Sequence, residues 1–363
     1  MADAVDNDFQ TLHEVVKAAH AALDRNMWDY VAGATETETT MRRNRLALDR
    51  IAFRPRVLRN VSVIDPSASF FGHRIRLPVV LAPVGGLESI DAEGGVTVAR
   101  GAGLANVPFL LSSVTRMGLE NVAAAATGPK VFQLYVRGDA AWVDEQVRRA
   151  QGSGYDVFCV TVDSAIYSRR ERDIANRFAK PWRADVSGSD YQAAWDWDQV
   201  RRFRDKHAIP LMLKGIATAE DAELACQHGV DVVYVSNHGG RQLDHGVGTM
   251  DVLPEVVAAV AGRAKVMIDG GFSRGTDIVK AIALGADAVG IGRLYCYGLA
   301  AAGAAGILRV IELLEIEVVE CLGLLGLTSF AELDRSYLRK AEPVIDPLIH
   351  SAFPLLGLPT PEY

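Results

Sequence analysis

Basic residues are in short supply. The 363 residues include 38 lysines and arginines against 45 aspartates and glutamates, a formal net charge of −7. Binding along a phosphate backbone needs a basic face, which excludes nucleic acid as the main partner. Arg169-Arg170 is a local exception, sufficient for one small anion. Cysteine is scarce as well. Cys159, Cys226, Cys296 and Cys321 are far apart and form neither a metal-type pair nor a disulfide framework, so no metal is expected. Cys159 and Cys226 sit in apolar surroundings and read as small buried hydrophobes. No apolar run reaches the roughly 18 residues of a membrane span. The opening MADAVDNDFQTLHEVV is acidic and lacks the basic and apolar regions of a signal peptide, and the closing Pro-Glu-Tyr is no known address. Cytoplasmic residence without membrane attachment is the expectation.

What is present is an alternation. Residues 8 to 25 have helical spacing, with Phe9, Leu12, Val15, Val16, Ala19 and Leu23 on one stripe. From about residue 77, short apolar runs recur: Val79–Ala82, Phe109–Leu111, Val131–Tyr135, Val157–Val162, Leu211–Leu213, Val232–Val235, Val266–Ile268 and Ala288–Ile291. Alanine-rich helical stretches such as Gly94–Ala105, Ala140–Gln151 and Thr218–His228 separate them. Strands alternating with helices predict a parallel α/β sheet, and this number of strands predicts a closed TIM (β/α)8 barrel over about residues 77–325. An open doubly wound sheet would carry GxGxxG after its first strand, and Ala82-Pro83-Val84-Gly85-Gly86 is not that. The chain reads as one domain, 1–363, with a helical N-terminal segment. Residues 164–206 form an insertion after strand four, too long for a routine connection, and are expected to cover the barrel mouth. Ile307–Leu325 and Phe330–Arg339 read as terminal helices.

Barrels of this kind concentrate function where strands end. Strand one ends in Pro83-Val84-Gly85, two in Ser112-Ser113, three in Gln133 and Tyr135, four in Thr161 and Asp163. Strand five ends at Lys214, six at Ser236-Asn237-His238, seven at Asp269-Gly270-Gly271 and eight at Gly292-Arg293. So many polar strand ends in succession exceed what structure alone requires. The glycines of the last two loops, beside Arg274 and Arg293, suit a phosphate held by backbone amides and guanidinium. Lys214 suits either a Schiff-base nucleophile or a cation facing developing negative charge. His238 with Asp163 suits proton removal followed by stabilisation of the imidazolium. Arg170 and Arg241 suit a carboxylate.

These residues resemble the FMN-dependent L-2-hydroxy acid oxidases and dehydrogenases. The likeness runs from about residue 8 to 340 and rests on SNHGGRQLD at 236–244. DYVAGA at 29–34, FRPRVL at 53–58, FQLYV at 132–136 and TVD at 161–163 support it. So do RRERDIANRF at 169–178, LKG at 213–215, DGG at 269–271 and IGR at 291–293. The resemblance implies an FMN cradled by Pro83, Val84, Gly85, Ser112, Gln133, Thr161, Lys214 and Ser236. Its phosphate would lie against Asp269, Gly270, Gly271, Ser273, Arg274, Gly292 and Arg293. It implies His238 as base, Asp163 as its support, and Lys214 at the N1/O2 side of the flavin. Tyr30, Arg170 and Arg241 would bind the substrate carboxylate, and Tyr135 would lie near its hydroxyl. The activity implied is oxidation of an L-(S)-2-hydroxy acid to the 2-oxo acid, by hydride transfer or through a carbanion. Electrons then pass to oxygen or another acceptor, and a homotetramer is the family habit.

Several positions depart from the family pattern. Ser273 replaces one arginine of the phosphate loop and Leu294 a frequent proline. Val114 stands where some glycolate oxidases have an aromatic residue, and Gly85 where several members have alanine. Losing that bulk predicts a substrate larger than glycolate, of the mandelate kind. Two other readings remain: a non-oxidising FMN barrel of the type 2 isopentenyl diphosphate isomerase kind, and a scaffold barrel without catalysis.

Overall fold

A computed structural model of the chain describes residues 9–183 and 187–357. Residues 1–8 of the stretch read for a signal peptide, and the closing Pro-Glu-Tyr, lie outside that range. Three helices open the chain: α1 (Leu12–Ala22), α2 (Arg25–Ala32) and α3 (Thr39–Asp49). Thr11 and Glu14 form a capping box for α1, and the Asp24 side chain accepts from Met27 N to cap α2.

The barrel strands are β1 (Val79–Leu81), β2 (Phe109–Ser112), β3 (Lys130–Leu134), β4 (Val157–Thr161), β5 (Leu211–Ile216), β6 (Val232–Val235), β7 (Lys265–Ile268) and β8 (Ala288–Ile291). Each lies parallel beside its neighbour, and β8 pairs with β1 to close the ring. The predicted (β/α)8 architecture is the one observed. Its strands are largely apolar because both faces are buried, one by the barrel interior and one by helices. The interior is packed by Val80, Leu110, Val131, Cys159, Met212, Tyr234 and Met267. Phe70 and Ile75, from a hairpin of Ala68–Phe70 with His73–Ile75, join that cluster and stopper the N-terminal end. Only the C-terminal mouth is left for a ligand.

The end of the chain differs from the prediction. Phe330–Arg339 is not a helix but two 3-10 turns, Phe330–Glu332 and Arg335–Tyr337, followed by a strand, Leu338–Lys340. That strand pairs antiparallel with Ile51–Phe53, a long-range partner that helical spacing cannot reveal. The helix Arg293–Leu325 bends at Ala302 and Gly303, where φ of the glycine is 58°. Among the described residues no helix is long and apolar enough to cross a membrane.

Candidate active site

The loop after β6 is braced from outside the barrel. Asn44 of α3 donates to Asn237 Oδ1 (2.9 Å), and Asn237 Nδ2 donates back to Asn44 Oδ1 (2.7 Å). Asp244 accepts from Thr37 N and Thr40 N, both at 2.9 Å. Gly240 has φ of 79°, and a Cβ there would come within 2.6 Å of Met41 N, so the tight turn demands glycine. His238 itself is held at φ 58°, a left-handed conformation that costs a non-glycine residue free energy.

That posture aims the imidazole at two partners. His238 Nδ1 lies 3.0 Å from Asp163 Oδ1, and Nε2 lies 3.2 Å from Tyr135 Oη. Burial lowers the His238 pKa below the usual imidazole range, with Lys214 and Arg170 adding to it and Asp163 opposing. Burial pushes the Asp163 carboxyl up, but His238 and Lys214 more than offset it, leaving Asp163 low and ionised. The pair is therefore a neutral imidazole backed by a carboxylate, able to accept a proton and hold it.

Ser236 Oγ is a junction. It accepts from Lys214 Nζ (2.8 Å) and from His238 N (3.0 Å) and donates to Asp269 Oδ1 (2.6 Å). Lys214 Nζ is 3.3 Å from Asp269 Oδ2. Burial opposes the charge on Lys214, yet Asp269 and Asp163 raise its pKa overall. A lysine held cationic is no Schiff-base nucleophile, which leaves the role of fixed positive charge.

Arg170 and Arg241 converge from opposite sides. Arg241 Nη1 donates to the carbonyls of Tyr30 (2.5 Å) and Gly33 (2.8 Å), and its guanidinium lies 4.8 Å from the Tyr30 ring. Arg170 is buried, 5.9 Å from that ring, with no partner for Nε among the described residues. Burial and the neighbouring Arg170 lower the Arg241 pKa. A buried guanidinium facing the same pocket as a half-buried one calls for an anion there. Tyr30 Oη donates to Gly85 O at 3.1 Å.

One continuous pocket joins these groups to the last two loops. Its walls include Pro83, Val84, Gly85, Lys214, Asp269, Gly270, Gly271, Ser273, Gly292 and Arg293. Ser112, Gln133, Thr161 and Ser236 stand behind it at the ends of their strands. Gln133 is fully buried, yet neither amide atom has a partner among the described residues, nor does Thr161 Oγ1. Orphaned buried polar atoms are rare. An amide and a hydroxyl at adjacent strand ends suit the alternating donors and acceptors of a flavin edge, so the residues present fit FMN.

Three expectations need correction. Arg274 does not face the phosphate loop: its guanidinium pairs with Glu317 (Nη2–Oε1 2.6 Å) and Nη1 donates to Ala352 O (3.1 Å). Asp269 lines the pocket as the counterion of Lys214, and an ionised carboxylate has no proton to donate to a phosphate oxygen. Arg293 remains as the guanidinium at that end, bonded to the carbonyls of Val31, Gly33 and Gly239, its pKa lowered to about 10 by burial and Arg241. The third concerns the pocket's side wall. Gly85 does not open space, because a Cβ there would lie 2.9 Å from Val114 Cβ; the valine occupies that room. Gly85→Ala is thus expected to cost about 1–3 kcal/mol through overpacking. Adding Val114→Ala should recover most of it, and additive urea-denaturation costs would contradict the contact.

Sequence reasoning missed other lining groups. Arg45 of α3 forms a two-pronged ion pair with buried Asp277 (2.8 Å for each bond). Tyr167, Arg137 and Trp182 also reach the pocket, and Trp182 packs on Tyr30 at 4.8 Å. The insertion does cover the mouth, as its length implied, but nothing in its composition singled out which aromatic would face inward.

Comparison with known proteins agrees with this geometry. Residues 19–340 match the FMN-dependent dehydrogenase family model. A glycolate oxidase from Spinacia oleracea is 39% identical over 318 residues, covering 82% of this chain and 86% of that protein. A peroxisomal (S)-2-hydroxy-acid oxidase from Oryza sativa subsp. japonica is 38% identical, covering 82% and 87%. A mandelate oxidase structure superposes with TM-score 0.85 and 38% identity over 93% of this chain and 100% of its own. A soluble mutant of the membrane-associated (S)-mandelate dehydrogenase from Pseudomonas putida gives 0.85 and 34%, over 91% and 99%. With the fold, the strand-end residues and these relatives in agreement, the chain belongs to the FMN-dependent dehydrogenase family.

Proposed function

We propose that this enzyme oxidises an (S)-2-hydroxy acid with a side chain larger than that of glycolate to the 2-oxo acid. The observation that carries the chemistry is His238, poised between Asp163 and Tyr135 in the pocket that Arg170 and Arg241 also line. A carboxylate is the anion that Arg170 and Arg241 would clamp, each in bidentate fashion. Anchored there, the substrate presents its hydroxyl to His238 Nε2 and Tyr135 Oη. His238 takes a proton, and Asp163 stabilises the resulting imidazolium. FMN, when bound, supplies the two-electron acceptor. Gln133, Thr161, Lys214 and Ser236 would hold its ring, with Lys214 balancing negative charge there. Gly270, Gly271, Ser273, Gly292 and Arg293 would hold its phosphate, where the helices Gly275–Ala283 and Arg293–Leu325 begin.

The size of the substrate side chain is read from the walls around it. Val114, Trp182 and Tyr167 offer an apolar and aromatic surface beside the clamp. An aryl group packs well against such a surface, whereas glycolate has nothing to place there. The mandelate relatives support the same reading. The test is kcat/KM for glycolate, L-lactate, 2-hydroxyoctanoate and (S)-mandelate, with anaerobic bleaching of the flavin as a second readout. The larger acids should win; a clear preference for glycolate overturns the size argument. Inertness of a yellow protein toward every 2-hydroxy acid overturns the chemistry and favours the isomerase reading.

A further inference from the structure

The family match stops at residue 340, and the mandelate oxidase is matched along its whole length by only part of this chain. Beyond that point the chain does not leave the molecule. Its described part puts Ile349 into the wall of the same pocket that Phe272, Ser273, Gly292 and Arg293 line. The neighbouring His350 ring stacks on Trp28 at 5.3 Å, and its Nε2 lies 3.1 Å from Tyr297 Oη. Phe353 is buried and meets the edge of His13 at 5.7 Å; Leu356 is buried too. Arg274 Nη1 then donates to Ala352 O. The arginine that the motif assigned to phosphate is instead spent on holding this segment.

We propose that residues 347–356 are a strap that seals the phosphate end of the FMN pocket, pinned by Arg274 and by the seat of Phe353, so that FMN leaves only when the strap lifts. The proposal rests on reading the pocket as the FMN site. It explains two oddities together. A small residue at Ser273 leaves the phosphate end with fewer direct cationic contacts, and the strap compensates by excluding water there. Arg274 faces outward to Glu317, and from there its Nη1 reaches the strap. Opening then limits departure, and a change that weakens the seat appears in the off-rate.

The experiment uses the full chain loaded with FMN. Release is followed by recovery of free-flavin fluorescence after dilution, for the wild type, Phe353→Ser, Arg274→Gln and the double variant. Each single change should speed release about tenfold, equivalent to about 1.4 kcal/mol. The double variant should release little faster than the quicker single, because both act on one strap. Unchanged release from a Phe353→Ser protein with a native circular dichroism spectrum overturns the proposal. Amide exchange on the wild type gives a test without substitution: FMN should protect residues 347–356, and equal exchange with and without FMN overturns it. A chain that takes up no FMN in a fluorescence titration instead sinks the reading of the pocket.

Discussion

Replacing His238 by asparagine is expected to slow anaerobic flavin reduction about 10²–10⁴-fold, the usual worth of a positioned acid–base group, while FMN uptake stays intact. Asparagine is the informative choice because position 238 sits at φ 58°, which asparagine tolerates better than other residues. A β-branched substitute would confound lost chemistry with backbone strain. The working form of the base is the neutral imidazole, and burial, assisted by Lys214 and Arg170, lowers its pKa. Wild-type kcat/KM should therefore hold as pH falls past the ordinary imidazole value of about 6.5 and drop only below it. Asp163→Asn removes the neighbouring charge that raises His238. It should shift the acid limb to still lower pH and reduce the plateau. Stopped-flow reduction across pH checks both, and a limb that moves upward in the Asp163 variant would refute the pairing.

Arg45→Met should destabilise the protein by about 3–5 kcal/mol, the cost of leaving one member of a buried ion pair alone. Arg45 and Asp277 are both nearly inaccessible and bond through two parallel contacts. Asp277 also accepts from Ser273 N (3.0 Å) and Arg274 N (3.1 Å), so the pair fixes the loop that opens the phosphate end. Burial pushes Asp277 up, but Arg45 holds it low, and without Arg45 the carboxylate would have to protonate or drag water inward. Urea denaturation of the wild type and variant, read by tryptophan fluorescence, gives the difference. A double variant, Arg45→Met with Asp277→Leu, should recover a large part of the loss. Equal loss in single and double variants would show that the pair is not what the loop depends on.

How far the sequence could be read follows from the kind of signal each feature leaves. The barrel was legible because each strand is a short apolar run followed by a helix of different periodicity, a local pattern repeated along the chain. His238, Asp163, Lys214, Tyr135 and the two arginines were legible because they punctuate those runs. Arg45 was not, since its partner Asp277 lies far along the chain and an arginine on a polar helix looks solvated. Arg274 was misplaced for a related reason: a motif tells which residue is present, not which way its side chain turns, and Glu317 decides that. Gly85 and Val114 were read as two separate losses of bulk, whereas the structure shows that one fills the space the other vacates. The predicted helix Phe330–Arg339 fails at its end because Leu338 and Arg339 belong to a strand whose partner is the distant Ile51–Phe53.

Closure of the barrel has a consequence for how the enzyme is made. The seam joins β1 to β8, the first and last barrel strands to leave the ribosome. Pro83, Val84 and Gly85 emerge early on one side of that seam, Gly292 and Arg293 late on the other. A growing chain can pair β1 with β2 and onward, but it owns no complete flavin cradle until its final strand has docked. Cofactor capture thus waits on docking of the last barrel strand, so uptake of the yellow cofactor would report that the ring has closed.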